Sequence, residues 1–201
     1  MDRYNKLFVS LKYYLLGRDY IKALKALEFA RAYHLGTRKN GIDPEFLHQI
    51  EISLYIATLK DLECEETAIT VALLHDVMED YDISHEEMEK RFGAEITSIV
   101  WLLTKKHRGI VKDSSVYFGE LAQNSIASIV KGADRIHNIQ TMVGVFSDEK
   151  QKTYVQEVEE KFLPMIKRAK ALFPEQTRAY FNIEHMLKSQ ISLIKAIHKK
   201  K

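Results

Sequence analysis

Residues 65–80 read EETAITVALLHDVMED. The apolar run Ala68, Ile69, Val71, Ala72, Leu73, Leu74 predicts one deeply buried helix from Glu65 to about Asp80. That greasy segment ends in four ionisable residues: His75, Asp76, Glu79 and Asp80. Residues four apart share a helix face, so His75 is expected over Glu79 and Asp76 over Asp80. Burying such groups unpaired is costly. A divalent cation is an economical partner, and a carboxylate-rich set with imidazole leans towards manganese or iron rather than structural zinc. Against this, a His-Asp pair arises by chance roughly 0.4 times in a chain of this composition. A histidine followed by acids near a helix end is also often a solvated face. The pair alone decides little, and its weight depends on the rest of the chain.

Outward from this segment the chain reads as helices. Segments 4–16 and 19–35 are punctuated by Gly17, and a loop at 34–44 contains Gly36, Asn40, Gly41 and Pro44. A helix from Pro44 to about Leu59 is expected, with Asp43 as its cap. Ser84 and Glu87 form a capping box that opens a short helix ending at Gly93. Another helix follows from Ala94 to Leu103, then a basic loop, KKHRGIVKDSS, at 105–115. Further helices are expected over about 116–142, 148–172 and 174–198, with His198 and Lys199 to Lys201 at the negative end of the last. No repeat, low-complexity linker or strand alternation stands out. The expectation is an all-α bundle of roughly nine or ten helices forming one domain over residues 1–201.

Composition narrows the function classes. The 201 residues are 46% hydrophobic and 29% charged, and 30 basic against 28 acidic residues leave a formal charge of +2. Nothing global announces a nucleic-acid polymer as partner. The lone Cys64 permits no internal disulfide and lies among Glu63, Glu65 and Glu66, which oppose its thiolate. A reducing, cytoplasmic setting fits. The N-terminal apolar stretch is broken by Lys12 and does not read as a signal peptide, and no apolar run is long enough to span a membrane.

Two further constellations carry chemistry-bearing residues. Lys131-Gly132-Ala133-Asp134-Arg135-Ile136-His137-Asn138 follows an apolar stretch and places Asp134 and Asn138 on one face. Phe46-Leu47-His48 adds another histidine, which taken singly reads as a core or surface residue. The ordered set His48, His75-Asp76, Asp134 resembles the metal-binding signature of the HD phosphohydrolase superfamily. More closely, RAYHLGTRKNGIDPEFLH, ALLHDVMED and KGADRIHN resemble successive motifs of RelA/SpoT-type hydrolase domains, which degrade the alarmone (p)ppGpp. YVQEVEEKFLPMIKRAKALFPE is similar to the tail of stand-alone small alarmone hydrolases, so the resemblance spans about residues 20–175.

The resemblance implies an HD-domain helical bundle and a set of roles. His48, His75, Asp76 and Asp134 would bind one Mn²⁺. Glu79 and Asp80 would activate the attacking water. Arg38 and Lys39 would meet the base and phosphates, and Asn138 the ribose. Lys150 and Tyr154, four apart on a helix, would contact substrate. Lys105, Lys106, Arg108 and Lys112 would either add charge for a polyphosphate or form a solvated loop. The implied reaction is loss of the 3′-pyrophosphate of (p)ppGpp, giving GDP or GTP. A related nucleotide such as ppApp or NADPH, or a regulatory, antitoxin-like module with a structural metal, stays open. With no second nucleotide-binding segment before residue 201, degradation without synthesis is expected. A homodimer is one option for assembly.

The pattern departs from the family in places. The spacing from His34 to Arg38 is one residue short and from Arg38 to His48 one long. Tyr81 stands where threonine is usual, and Gly132 where leucine is usual. The shifted Arg-Lys pair leaves guanine against adenine undecided.

Overall fold

The computed structural model describes residues 2–199, so Lys200 and Lys201 of the expected basic last turn lie outside it. The all-α expectation holds: helices account for nearly every element. They are α1 (Arg3–Gly17), α2 (Ile21–Tyr33), α3 (Leu47–Thr58), α4 (Glu65–Leu74), α5 (Val77–Asp80), α6 (His85–Leu103), α7 (Ser114–Leu121), α8 (Ser125–Gln140), α9 (Asp148–Glu157), α10 (Leu163–Leu172) and α11 (Thr177–Lys199).

Caps explain several boundaries. The Asp2 side chain accepts from Asn5 N at 2.8 Å and starts α1. Ser84 accepts from Glu87 N at 3.1 Å, as the capping box predicts. Gly93, at φ 82°, breaks α6 where the sequence predicts a stop. The expected helix over 116–142 is two helices, because Asn124 accepts from Ile126 N and Ala127 N at 3.1 and 2.8 Å and caps α8. The run 148–172 is continuous but contains a π turn at Val158–Phe162.

Three local expectations are corrected. First, α3 starts at Leu47, not Pro44. Pro44 pairs with Thr37 in an isolated antiparallel bridge, and the Asp43 carboxylate accepts from Asn40, so both residues close the loop instead of opening the helix. Second, the basic loop contains a small hairpin, β1 (Lys106–His107) with β2 (Ile110–Val111). Arg108 and Gly109, at φ 48° and 81°, make the left-handed turn that suits a two-residue hairpin. Third, the helix over 65–80 stops at Leu74, and His75-Asp76 separates it from the single turn of α5.

α4 is the centre of the bundle. Every residue from Thr67 to Leu74 is buried, and the helix is packed among α2, α3, α6 and α8. Full burial of Leu73 or Leu74 contributes about 1.5–3 kcal/mol each. Gly132 has a packing reason: a Cβ there would meet Ile183 Cγ2 at 2.7 Å and Ile166 Cδ1 at 3.2 Å. The leucine usual at that position would collide with α11 and α10. Among the described residues, no helix is long and apolar enough to cross a membrane.

Candidate metal centre

Three helices deliver the donor atoms to one point. His48 comes from the first turn of α3, Asp134 from the middle of α8, and His75-Asp76 from the break after α4. His48 Nε2 lies 3.2 Å from Asp134 Oδ1 and 3.9 Å from Asp76 Oδ2. His75 Nε2 lies 3.0 Å from Asp76 Oδ2 and 3.9 Å from Asp134 Oδ1. His48, His75 and Asp76 form a group that can hold a metal ion.

The residues fit a cation. His75 Nε2 is buried and has no hydrogen-bond partner among the described residues, which leaves its lone pair aimed into the cluster. His75 Nδ1 lies 2.7 Å from the Ala72 carbonyl, which only an N–H can satisfy, so the free nitrogen is Nε2. Two imidazole nitrogens and two carboxylates are a donor set for a first-row divalent ion.

Electrostatics favour the same occupant. Burial opposes ionisation of Asp76, but the neighbouring His75 pulls its carboxyl down to about 2. Asp134 is likewise opposed by burial, yet Lys131 and the two histidines hold it well below the usual carboxylate range. Burial lowers His48 to about 4, against the pull of Asp134. His75 is raised to about 9 because Asp76 and Asp134 outweigh its burial. Two carboxylates, the buried Asp134 and the half-buried Asp76, therefore stay negative and require a positive partner, a proton on His75 or a cation.

Each ligand is itself held. Lys131 Nζ donates to Asp134 Oδ2 at 3.0 Å, and Asn138 Nδ2 donates to Oδ1 at 2.5 Å. Gln49 Nε2 donates to Asp76 Oδ2 at 3.4 Å and lies 2.9 Å from His34 Nε2. His48 Nδ1 lies 2.9 Å from His137 Nδ1, and His137 Nε2 lies 2.8 Å from Glu51 Oε2. Arg3 closes that chain with a short contact to Glu51 Oε1.

A cavity of about 700 Å³ opens above the centre. His48, Asp76 and Asp80 line its floor side, Arg38 and Lys39 the loop side, and Asn138 and Tyr154 the α8–α9 side. The loop is fixed through its backbone: Arg38 N donates to Asp43 O at 2.8 Å and Glu45 N to Gly36 O at 2.9 Å. Lys150 Nζ sits 4.0 Å from the Phe146 ring centroid, and Phe146 lines the cavity.

The adjacent acids part company. Asp80 lines the cavity, and burial together with Asp76, Glu79 and Glu45 raises its carboxyl to about 6. Glu79 is not among the lining residues, and its Oε2 accepts from Lys105 N at 2.8 Å. The expected His75–Glu79 face does not form, because the helix breaks between them. The basic loop also stays outside: Arg108 pairs with Asp82 at 2.9 Å, and Lys112 donates to the Trp101 carbonyl at 2.6 Å.

Sequence reasoning missed the residues behind the ligands. Glu51 follows His48 by three, as His137 follows Asp134, so both spacings signal a shared helix face. Tyr81 was noted only as a departure, yet its hydroxyl donates to Glu45 Oε2 at 2.8 Å and it lines the cavity.

Comparison with known proteins agrees with the geometry. Residues 26–111 match the HD domain family. The chain is 32% identical over 152 residues to the GTP pyrophosphokinase rsh of Brucella melitensis, covering 72% of this chain and 20% of that protein. It is also 32% identical, over the same length and shares, to a probable guanosine-3′,5′-bis(diphosphate) 3′-pyrophosphohydrolase of Synechocystis. The named pyrophosphohydrolase of Aquifex aeolicus is 30% identical over 149 residues, 72% of this chain and 21% of that one. The chain thus spans about a fifth of the length of these relatives. A solved metazoan SpoT ortholog, described as hydrolysing ppGpp, shares the fold at a TM-score of 0.67 and 21% identity, over 85% of this chain and 96% of its own. The chain thus resembles the HD domain family over residues 26–111 and the RelA/SpoT-type enzymes over 72% of its length, and it shares its fold with the SpoT ortholog.

Proposed function

We propose that this chain hydrolyses the 3′-pyrophosphate ester of (p)ppGpp in the cytoplasm, releasing pyrophosphate and leaving GDP or GTP. The observation that carries this reading is the convergence of two histidines and two carboxylates beneath a cavity of about 700 Å³ that bears Arg38 and Lys39. The substrate class follows that of the relatives named as guanosine-3′,5′-bis(diphosphate) 3′-pyrophosphohydrolases.

His48, His75, Asp76 and Asp134 would hold the ion, which we take to be Mn²⁺. When bound, a divalent ion acidifies water and polarises a phosphoryl oxygen. Asp80 faces the cavity with a carboxyl raised to about 6, which suits a group that accepts a proton near neutral pH. Water's oxygen bonds the phosphorus next to the ribose, Asp80 receives the proton, and the ester bond to the 3′ oxygen breaks. The departing 3′ oxygen takes a proton from solvent and leaves as the hydroxyl, while Asp80 gives up the proton it received. Glu79 supports this from behind by tying α5 to Lys105. Arg38 and Lys39 offer positive charge to the phosphates and a flat guanidinium to the base. Asn138, already bonded to Asp134, lies where the ribose would approach. Lys150 and Tyr154 flank Phe146 on the far wall, with Tyr154 5.5 Å from it, ring to ring.

Incubating purified protein with ppGpp and Mn²⁺ tests the reading. Pyrophosphate and GDP are the expected products. Intact ppGpp in the presence of metal-loaded protein sinks it, and parallel rates on ppApp and NADPH assign the base and substrate.

A further inference from the structure

We propose that Glu51 and Arg3, acting through His137, are positioning residues that fix the proton on His48 so that its Nε2 is presented to the metal. This rests on the proposed metal centre but not on the identity of the substrate.

The argument is a donor account. His48 Nδ1 and His137 Nδ1 face one another at 2.9 Å, both in buried rings. Two lone pairs at that distance repel, as do two protons, so one nitrogen donates and the other accepts. His137 Nε2 faces the Glu51 carboxylate at 2.8 Å. Glu51 faces the Arg3 guanidinium on one oxygen and His137 Nε2 on the other, and with burial opposing it the His137 hydrogen bond and Arg3 hold its carboxyl below the usual range. An ionised carboxylate only accepts, so His137 donates from Nε2. With an ion at His48 Nε2, the ring keeps its one proton on Nδ1 and donates it to His137 Nδ1, which must then be the bare nitrogen. His48 is left with an unprotonated Nε2, the atom that lies 3.2 Å from Asp134 and 3.9 Å from Asp76. The other tautomer of His137 would set a lone pair against the Glu51 carboxylate and a proton against His48 Nδ1–H.

His75 reaches the same tautomer by a simpler route, its Nδ1 donating to the Ala72 carbonyl at 2.7 Å. His48 sits in the first turn of α3, and its Nδ1 is turned across to α8 instead of to a carbonyl. The chain of partners replaces that carbonyl. It also links α1, through Arg3, to a ligand on α3 by way of α8. Carboxylate partners behind metal-binding histidines orient the ring and raise its basicity.

Mn²⁺ titration calorimetry on the full chain, without nucleotide, reads this directly. Glu51→Ala is expected to weaken Mn²⁺ binding about 10- to 100-fold, the range for removing such outer partners. Glu51→Gln, whose amide oxygen still accepts, is expected to recover most of that loss, and Arg3→Ala to lose the least. In zinc-loaded protein, ¹⁵N NMR is expected to find His137 neutral with its proton on Nε2. Wild-type affinity in Glu51→Ala, or a His137 proton on Nδ1, overturns the proposal. Should Glu51→Ala fail to fold in EDTA, Glu51→Gln and the NMR measurement carry the decision, since Gln preserves the size of the side chain. A chain that binds Mn²⁺ through this relay yet leaves ppGpp intact overturns the proposed activity and leaves the relay standing.

Discussion

The two walls of the cavity are built on opposite plans. At the metal end, His48, His75 and Asp134 are buried, and each is tied to a second group behind it: His137, the Ala72 carbonyl and Lys131. At the loop end, Lys39 is exposed and Arg38 half-buried, and both ride on a segment held by its backbone. Among the described residues, no hydrogen bond or ion pair restrains the Arg38 guanidinium, whereas Lys39 rests 5.4 Å from the Phe146 ring. Charge is locked in place at one end and left adjustable at the other. Under the proposed function, a site organised this way would keep its chemistry constant while the loop selects among nucleotides.

The strongest way to break the comparison is to remove a locked ligand. His75→Ala is expected to abolish stoichiometric Mn²⁺ binding and to lower turnover of ppGpp by more than about 1000-fold, since the ion's contribution to phosphoryl transfer is worth several kcal/mol. It also leaves the half-buried Asp76 and the buried Asp134 without their charged histidine, so the melting temperature in EDTA should fall. Tight Mn²⁺ binding by this variant would place the centre elsewhere.

Much of the locked end was legible because residue type and spacing carried it. His75-Asp76 at the end of an apolar run, with His48 and Asp134 in register, points to the four side chains that the fold brings together. The break after Leu74 was not legible, because residues 65–80 have no glycine, proline or cap at that point. Local pattern favours a continuous helix, and the packing that turns His75 inward is tertiary. That one break undoes the expected pairing of His75 with Glu79, while Glu79 and Asp80 part because adjacent residues on the single turn of α5 face different ways. Asn124 was a readable cap inside the expected 116–142 helix, hidden by the apolar residues on both sides. Arg3 lay beyond reach, since nothing local connects it to a residue 48 positions away.

A smaller effect should appear in the metal-free protein as a function of pH. His75 is raised to about 9 in the fold, against roughly 6.5 when unfolded. Its protonation therefore stabilises the fold fully below about pH 6.5, and that stability is lost as pH rises through 9. The loss is on the order of 2–3 kcal/mol, or roughly 5–10 °C for a chain of this size. Asp80, raised to about 6, contributes in the same sense but below that window. Calorimetry in EDTA at pH 6.5 and 9 is the measurement. With Mn²⁺ present, His75 has no proton to lose, and the trend should vanish or reverse as affinity grows with pH. A metal-free melting temperature that rises across this range would contradict the assignment of His75 as the charged partner of Asp76.

The smallest expected effect sharpens the comparison instead of breaking it. Arg38→Ala removes one adjustable charge while leaving the loop's own bonds, Arg38 N to Asp43 O and Glu45 N to Gly36 O, untouched. A charge-assisted contact to a phosphate or base edge contributes about 1.5–3 kcal/mol. Water entering the vacated space returns part of this, so KM for ppGpp is expected to rise about 10-fold, or ~1.4 kcal/mol. The Mn²⁺ affinity and the metal-free melting temperature should stay at wild type, because the guanidinium holds no ligand. Arg38→Lys distinguishes two sources of the effect. If charge alone matters, lysine restores KM; if the flat guanidinium stacks on the base, lysine leaves KM high. Were Arg38→Ala to weaken Mn²⁺ binding in step with KM, the two walls would be coupled, and the loop would belong to the metal centre.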